Sequence, residues 1–326
     1  MRKSQRFSLI LGVCAGVAYG LIAWFAFGAA QALPSMSFLL GVPFGMGACS
    51  LAFTDDAQVR WFQRLLLIPW LVIFLFFMLL VAVAHEAAAC ILVLALPLIF
   101  AVMLGTVIPW AIGAHRLSAK KKAAATAALL LLPFLFMPLE KAHLMPAEQG
   151  EALSSIVVDA PAAFIFDHLA EVPTINEGEY QPGLFNRLGI PRPIRATVDR
   201  AALGGLRVGE FEHGLRFDEV ITRFDPPKRM AFSIAVDPSP LRQGSTERHA
   251  LEAGYFRFLD ATYALEPLGP GRTLLKLSSR FVLKSGWNSY GRFWASALVG
   301  DFQERVLAVL KRRCEAPAGA LAVSGP

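Results

Sequence analysis

Residues 156–169 read Ile-Val-Val-Asp-Ala-Pro-Ala-Ala-Phe-Ile-Phe-Asp-His-Leu. The β-branched run Ile156, Val157 and Val158 favours extended backbone, and Ala160-Pro161 ends it. Pro161 carries the fixed backbone angle of a helix's first turn, and Phe164, Ile165, His168, Leu169 and Val172 then recur at helical spacing until Pro173. The stretch predicts a strand over Ala152 to Asp159 that enters a helix, which is the start of an α+β domain.

Downstream, Thr174 to Leu188 reads as a second helix or an irregular segment, and Gly189-Ile-Pro-Arg-Pro193 forces an extended connection. Strand candidates follow, each closed by turn chemistry. Ile194 to Arg200 ends at Gly204-Gly205, Leu206 to Glu212 at His213-Gly214, and Leu215 to Phe224 at Asp225-Pro226-Pro227. Met230 to Val236 leads into the loop of Pro238, Pro240 and Gly244. Tyr255 to Glu266 leads to Gly269-Pro270-Gly271, and Thr273 to Leu283 closes the series. Hairpin connections of this kind make the sheet antiparallel. Ser289 to Arg313 then places Tyr290, Phe293, Trp294, Ala297, Leu298, Phe302, Val306, Val309 and Leu310 along one stripe, so a long amphipathic helix is expected. Its last turn, Lys311, Arg312 and Arg313, suits the negative end of the helix dipole. Residues 314–326, rich in Ala, Gly and Pro, read as a disordered tail.

Upstream the chemistry changes. The chain is 55% hydrophobic and only 17% charged, with a mean hydropathy of +0.51; ordinary soluble domains carry about a quarter charged residues. Up to Glu140 there are nine Lys/Arg and four Asp/Glu, and from Lys141 onward 22 and 21. The apolar excess therefore belongs to the first 140 residues. The pI of about 9.3 reflects basic loops in that half, so nucleic acid is not an implied partner.

A helix needs roughly 20 apolar residues to cross a hydrocarbon core about 30 Å thick. Residues 7–30, 36–53, 65–84 and 87–113 meet or approach that length. A fifth segment, 123–139, is shorter but begins after Lys120, Lys121 and Lys122, whose stems can snorkel. Prolines at 43, 69, 97, 109, 133 and 138 are tolerated where neighbouring helices satisfy the freed carbonyls. Gly41, Gly45, Gly47 and Ala48 offer faces on which helices can approach closely. Ionisable residues sit at helix ends rather than mid-span, which favours an anchor over a transport pathway.

Basic residues precede the first span (Arg2, Lys3, Arg6), the third (Arg60, Arg64) and the fifth (Arg116 and the three lysines), while Gln31 to Ser35 and His85 to Glu86 contain none. The basic loops are thus expected on the cytoplasmic side. Five passes then place the C-terminal domain outside the cytoplasm, on the periplasmic face of an inner membrane in a bacterial cell. Ala30-Gln31-Ala32 could be read as a signal-peptide cleavage site, but the preceding apolar core is longer than such peptides use. The expected organisation is a membrane domain over 1–140, a linker over 141–151, a soluble domain over 152–313 and the tail.

The order strand, two short helices, antiparallel strands and a long final helix resembles the START-like, or SRPBCC, superfamily. Residues 156–169 resemble the family's first strand and its Ala-Pro-x-x-x-Val/Ile-Phe-Asp helix start, as in the polyketide cyclase/dehydrase branch. Phe217-Asp-Glu-Val-Ile-Thr222 before a Pro-Pro turn is also similar. The resemblance covers about residues 152–313 and implies a helix-grip fold, a curved antiparallel sheet wrapped around the long helix, with a cavity that holds an apolar ligand. It implies no activity, because the superfamily includes lipid carriers, hormone receptors, cyclases and oxygenase subunits.

Strand alternation puts Phe217, Glu219 and Ile221 on one face, as it does Met230, Phe232, Ile234 and Val236, and Leu275, Leu277, Ser279 and Phe281. The expected cavity residues are Phe217, Glu219, Ile221, Phe232, Ile234 and Phe281 from the sheet, with Tyr290, Phe293, Trp294 and Ala297 from the helix. Glu219 on an inward face must be protonated or paired; Arg280 and Arg257 are the expected partners. Glu219, His213 and His249 are the candidates for acid–base chemistry. The histidines show no metal-ligand spacing, and neither a nucleophile elbow, a phosphate loop nor a dinucleotide fingerprint is present. No cofactor is implied. Cys14, Cys49, Cys90 and Cys314 form no disulfide framework. Three functions remain open: a membrane-tethered module binding a lipid or other small hydrophobic molecule, a cyclase- or dehydratase-like enzyme, and a structural or sensory protein whose soluble domain binds a protein partner.

Overall fold

The computed structural model describes residues 3–53, 59–83, 88–242 and 246–316. The expected His85–Glu86 loop and the tail from residue 317 lie outside the described residues. The chain forms two compact units: Met1–Pro146 with Gly244–His249 and Lys284–Trp287, and Ala147–Gln243 with Ala250–Leu283 and Asn288–Pro326.

In the first unit, α1 spans Lys3–Ala29. Helix α2, Val42–Ser50, is entered through a π-helical turn at Ser37–Gly41, and α3, Ile68–Val83, through another at Gln63–Leu67. Helices α4 and α5 are Ala88–Ala111 and Ala119–His143. Four helical stretches, Arg6–Ala29, Gln63–Val83, Ala88–Ala111 and Ala119–His143, are long and apolar enough to cross a membrane. Two sequence expectations change. The segment expected over 36–53 is an apolar helix over Ser37–Ser50. At 1.5 Å per residue it is about 21 Å long, short of the hydrocarbon thickness. The segment expected over 123–139 is instead a full 25 residues, because Ala119 to Lys122 and Glu140 to His143 continue it.

The short α2 still carries the chain back to its starting end. Gly12 of α1 lies against the Ser50 carbonyl and Gly16 against that of Met46, so the two helices are antiparallel. At one end of the bundle Lys122 Nζ donates to the Leu51 carbonyl at 3.3 Å and Thr106 Oγ1 to that of Arg64 at 2.6 Å. At the other end Lys141 Nζ donates to the Ala30 carbonyl at 2.6 Å. Helices α1, α3 and α5 therefore run one way and α2 and α4 the other. Arg64 and Lys122 mark one end and the 30–36 turn marks the opposite one.

Helix α2 is almost wholly buried among its neighbours. Its amino end is closed by Glu140, only 5% exposed, whose carboxylate accepts the amides of Met36 and Ser37. That is the favourable end of a helix for a negative charge. The glycine faces work as expected: Gly41 meets Pro133, Gly45 meets Tyr19 and Leu130, and Gly47 and Gly105 bring the α2 and α4 backbones into contact. The outward faces of α3, α4 and α5 carry large apolar side chains such as Phe74, Leu96 and Leu135, at 60%, 66% and 70% exposure.

The second unit begins with β1, Ala147–Val158. The sequence places a linker over 141–151, but helix occupies Lys141–His143 and strand Ala147–Glu151. Two short helices, α6 (Ala162–Asp167) and α7 (Leu184–Arg187), precede β2 (Pro193–Val198), β3 (Leu206–Phe211), β4 (Arg216–Asp225) and β5 (Arg229–Asp237). Then come α8 (Thr246–Glu252), β6 (Phe256–Gly269), β7 (Arg272–Lys284) and α9 (Asn288–Glu315). The strands form one sheet in the order β1-β7-β6-β5-β4-β3-β2, with antiparallel pairing from β2 through β7. The helix expected up to Pro173 stops at Asp167 because Val172 exchanges both backbone hydrogen bonds with Ala196 of β2, at 2.8 Å each. Helix α8 was not anticipated.

Helix α9 packs on β1 and the inner face of the sheet. Its buried face includes Val299, Gln303, Leu307, Val309, Leu310 and Cys314, so the expected stripe holds at Val309 and Leu310 and lies one residue off at Leu298, Phe302 and Val306. Gln303 sits at its centre, fully buried, and its Nε2 donates to the Ala152 carbonyl at 3.1 Å and to Ser279 Oγ at 2.8 Å. At the far end Arg313 clamps residues 173–179, donating to the carbonyls of Pro173 (3.0 Å) and Thr174 (2.9 Å) and to both oxygens of Glu179 (2.9 Å).

A Cβ added at Gly105 would collide with the Phe44 carbonyl, and backbone cannot yield as a flexible side chain can. Gly105→Val is expected to leave the full-length protein aggregated on size-exclusion chromatography in detergent, whereas Gly28→Ala, with nothing closer than 4.0 Å, elutes as wild type.

Candidate functional site

The β3–β4 hairpin builds the site. It turns at Glu212–Gly214, where His213 takes left-handed backbone angles (φ 59°), a conformation uncommon outside glycine. In this register Arg207 of β3 stands directly opposite Glu219 of β4, and Glu219 in turn opposite Ile234 of β5. Strand alternation turns both charged side chains inward, where they are 6% and 5% exposed and in contact. Arg207 Nε also donates to the Ala170 carbonyl at 2.9 Å, and its guanidinium lies over the Phe232 ring, 5.3 Å from the centroid.

Burial raises the Glu219 carboxyl above its ordinary range, and the guanidinium of Arg207 works against that rise. Burial pulls Arg207 down, but Glu219 and Tyr263 leave it above its ordinary value. Tyr263, also buried, is pushed up to about 12 by desolvation.

These three side chains line a cavity of about 80 Å³ between the sheet and α9, whose other walls include Phe232, Ile234, Leu277 and Val306. A second cavity of about 80 Å³ adjoins it, lined by residues such as Phe185, Leu215, Leu298 and Asp301. Phe211, Phe217, Phe258 and Phe302 line both. Their ring centroids lie 4.4 Å (Phe211–Phe217), 5.7 Å (Phe211–Phe302) and 5.4 Å (Phe217–Phe258) apart. The four rings form an aromatic partition between two small compartments, the first bounded by the Arg207–Glu219 pair and the second lined in part by Asp301.

Of the expected cavity residues, Phe217, Glu219, Phe232 and Ile234 line the first compartment. Ile221 is buried in the main core beside them. Phe281 belongs to a separate cluster with Ala152, Leu283 and Val299, where it stacks on Phe256 at 5.4 Å and fills the space that Gly150 leaves. Tyr290, Phe293, Trp294 and Ala297 line neither compartment. The first three group with one another on the opening turns of α9, and Phe293 is 64% exposed. The compartments sit under the middle of the helix, so Leu298, Phe302 and Val306 serve instead. His213 is exposed at its turn and His249 lies on α8; neither lines the cavities. Neither Arg280 nor Arg257 partners Glu219: Arg280 pairs with Asp260 across β6 and β7, and Arg207 is the partner.

No family model matches the sequence, and no curated protein matches it either. Solved structures resemble its C-terminal half. A START superfamily protein from Mycobacterium smegmatis is 14% identical over 51% of this chain and 97% of that one, with a TM-score of 0.34. The major latex-like protein of Panax ginseng is 12% identical over 52% and 99%, with a TM-score of 0.34. A truncated norcoclaurine synthase from Thalictrum flavum is 12% identical over 52% and 97%, with a TM-score of 0.32. The C-terminal half has a START-like fold. Its antiparallel sheet closed on a long terminal helix is the arrangement that the sequence resemblance implied.

Removing one member of a buried ion pair strands the other charge, at a cost of about 3–5 kcal/mol, whereas replacing both by apolar groups is near neutral. Glu219→Leu is therefore expected to destabilise the protein by about that amount in chemical denaturation. Adding Arg207→Met should recover most of it, but not all, because the Ala170 carbonyl loses its donor. If the single and double variants are equally unstable, the pair is not what Glu219 answers to.

Proposed function

We propose that the C-terminal unit binds a small, mostly apolar molecule with one hydrogen-bonding or anionic end, and that the N-terminal unit holds it in a membrane. The observation that carries the reading is the composition of the first compartment: aromatic and aliphatic walls closed at one end by the Arg207–Glu219 pair and Tyr263. Ligand sites are concave and apolar with a few placed polar groups. At about 80 Å³ the compartment exceeds the volume needed for one water several-fold, yet it is far too small for a two-chain lipid. A ring system or a single short chain fits that magnitude.

Binding is favoured over catalysis by the state of the polar groups. An acid or base working near neutral pH needs a pKa near 7. Glu219 is engaged by Arg207, Tyr263 is pushed to about 12, and neither histidine candidate lines the cavity.

The long apolar helices and the exposed apolar faces of the first unit support a membrane-spanning role. Five alternating passes, with Arg64 and Lys122 at the starting end, support a cytoplasmic N-terminus and a C-terminal unit on the outer face of a bacterial inner membrane. Fused at its C-terminus to alkaline phosphatase and expressed in a bacterium, the chain is expected to give phosphatase activity, and the matching green fluorescent protein fusion to stay dark. The reverse pair would place the C-terminal unit in the cytoplasm.

The binding reading is tested by native mass spectrometry of the full-length chain in a mild detergent, followed by organic extraction. The wild type should carry one small apolar molecule per chain. Ile234→Trp, which fills the first compartment, should not. The reading fails if wild type and variant carry the same adducts, or if neither retains anything from a cell extract.

A further inference from the structure

Three of the residues that the sequence assigns to the cavity, Tyr290, Phe293 and Trp294, line neither compartment, and the proposed binding site gives them no task. They form an aromatic group on the opening turns of α9, with the Trp294 ring centred 6.3 Å from that of Tyr290 and 5.4 Å from that of Phe293. Phe293 is exposed, and so is Trp287, the residue before the helix begins. Exposed apolar groups that adjoin one another mark contact surfaces.

The segment before the helix fixes where this group lies. Lys284–Trp287 belongs to the first unit, where the Gly286 amide donates to the Pro34 carbonyl at 2.9 Å. A Cβ at Gly286 would collide with the Glu140 carboxylate and the Met36 amide, so the contact is close. The anchoring turn, 30–36, follows α1. The apolar stretch Arg6–Ala29 is 24 residues long, about 36 Å of helix, and more than crosses a hydrocarbon core of about 30 Å. The turn therefore emerges at the level of the headgroups, and Trp287 with it. Seven helical residues advance about 10 Å, which keeps Tyr290, Phe293 and Trp294 within that distance of Trp287 whatever the orientation of the second unit.

The distribution of tryptophan is an independent argument. Trp and Tyr concentrate at both faces of a bilayer, where the ring sits among the lipids while its N–H or O–H reaches water. The chain has six tryptophans. Trp61 and Trp110 are exposed at the end of the bundle marked by Arg64 and Lys122, Trp70 is exposed within two turns of Arg64, and Trp24 is buried in the helix core. At the opposite end the five helices present no exposed Trp or Tyr among the described residues. The two tryptophans left are Trp287 and Trp294. Lys284 and Arg292, both exposed, accompany them as basic residues accompany the apolar face of an interfacial helix.

We infer that residues 287–294 form a membrane-interface anchor, in which Trp287 and Phe293, backed by Tyr290 and Trp294, enter the headgroup layer of the leaflet at the 30–36 end of the bundle. The partner is phospholipid because the segment that carries the group starts at the edge of the bilayer, where a protein partner would have to displace lipid already present. The inference rests on the membrane-spanning reading of the first unit and is independent of the C-terminal cavity.

The test is photocrosslinking of the full-length chain in vesicles of phosphatidylcholine and phosphatidylglycerol, with p-benzoylphenylalanine placed singly at Phe293, Phe74 or Leu268. Phe74, exposed on α3, reports lipid beside the bundle. Leu268, also exposed, lies by the other end of β7 from Lys284, about 40 Å along the strand, and is the comparison away from the anchored end. Irradiation should give phospholipid adducts at Phe74 and Phe293 and none at Leu268. Lipid adducts at Phe74 without any at Phe293, a protein adduct in place of lipid at Phe293, or equal lipid adducts at Phe293 and Leu268 would each overturn the inference. Absence of lipid adducts at Phe74 would instead sink the membrane-spanning reading, and the anchor with it.

Discussion

A polar group taken out of water has to find its partner within the protein, and both units are arranged around that requirement. In the first unit the Met36 and Ser37 amides, at the start of the π-helical turn that leads into α2, are met by Glu140 from α5, so the entry to α2 is tied to the end of α5. In the second, Gln303 joins α9 to the Ala152 carbonyl of β1 and to Ser279 of β7. The edge strand β2 is closed by Val172, and Arg207 holds both Glu219 and the Ala170 carbonyl. Leaving any one of these buried groups unmatched costs about 1–3 kcal/mol, and more for a charge, which is a sizeable part of a domain's net stability. The helix-grip geometry is the arrangement that brings these partners together.

The ion pair at the cavity is difficult to explain as a source of stability. Two desolvated charges gain little over a pair of apolar side chains of the same volume, and the positions of Arg207 and Glu219 on the inner face would accept such residues. What the pair does supply is a fixed polar end in an otherwise apolar space, held by backbone register rather than by a mobile loop. Direct cross-strand opposition leaves the two groups few alternative arrangements, and the Ala170 carbonyl and the Phe232 ring restrain the guanidinium from two further sides. On the proposed reading, such a site selects its ligand by orientation.

Much of the fold was legible in the sequence. The strand-to-helix entry at 156–169, the hairpin turns and the inward faces of β4, β5 and β7 all follow from local residue patterns, and local patterns dominate antiparallel sheets. The misses have common physical causes. Helix α6 was read too long because Val172 prefers a long-range bridge that periodicity cannot reveal. In the middle of α9 the buried face lies one residue beyond the expected Leu298, Phe302 and Val306, because its centre is Gln303, a polar residue whose partners lie more than 20 positions away in sequence. That the cavities lie beside Leu298, Phe302 and Val306, beyond the opening turns of α9, is hidden for the same reason: nothing local says which turn of a helix covers the middle of a sheet. The Arg207 partner, by contrast, was available. Both charges lie six residues from His213, so a hairpin centred on that turn places them opposite one another. The short α2 could not be read from composition, since it is as apolar as its longer neighbours and differs from them in being almost wholly buried.

The aromatic partition determines what the two compartments can do together. Aromatic pairs of this geometry are worth about 0.5–1.5 kcal/mol each beyond their burial, so displacing Phe211 or Phe217 and breaking the ring contacts at the boundary costs a few kcal/mol. Burial of apolar surface returns roughly 25 cal/mol per Å², so about 100 Å² of ligand tail passing into the second compartment would offset that cost. On the proposed reading, a molecule confined to the first compartment leaves the rings in place, while a longer one gains only once its tail is long enough to occupy the space lined by Leu215 and Leu298. Selection by length then resides in the four phenylalanines, and selection by polarity in the ion pair at the opposite end. The two properties come from different strands and from different physical terms, so either can change in sequence without the other.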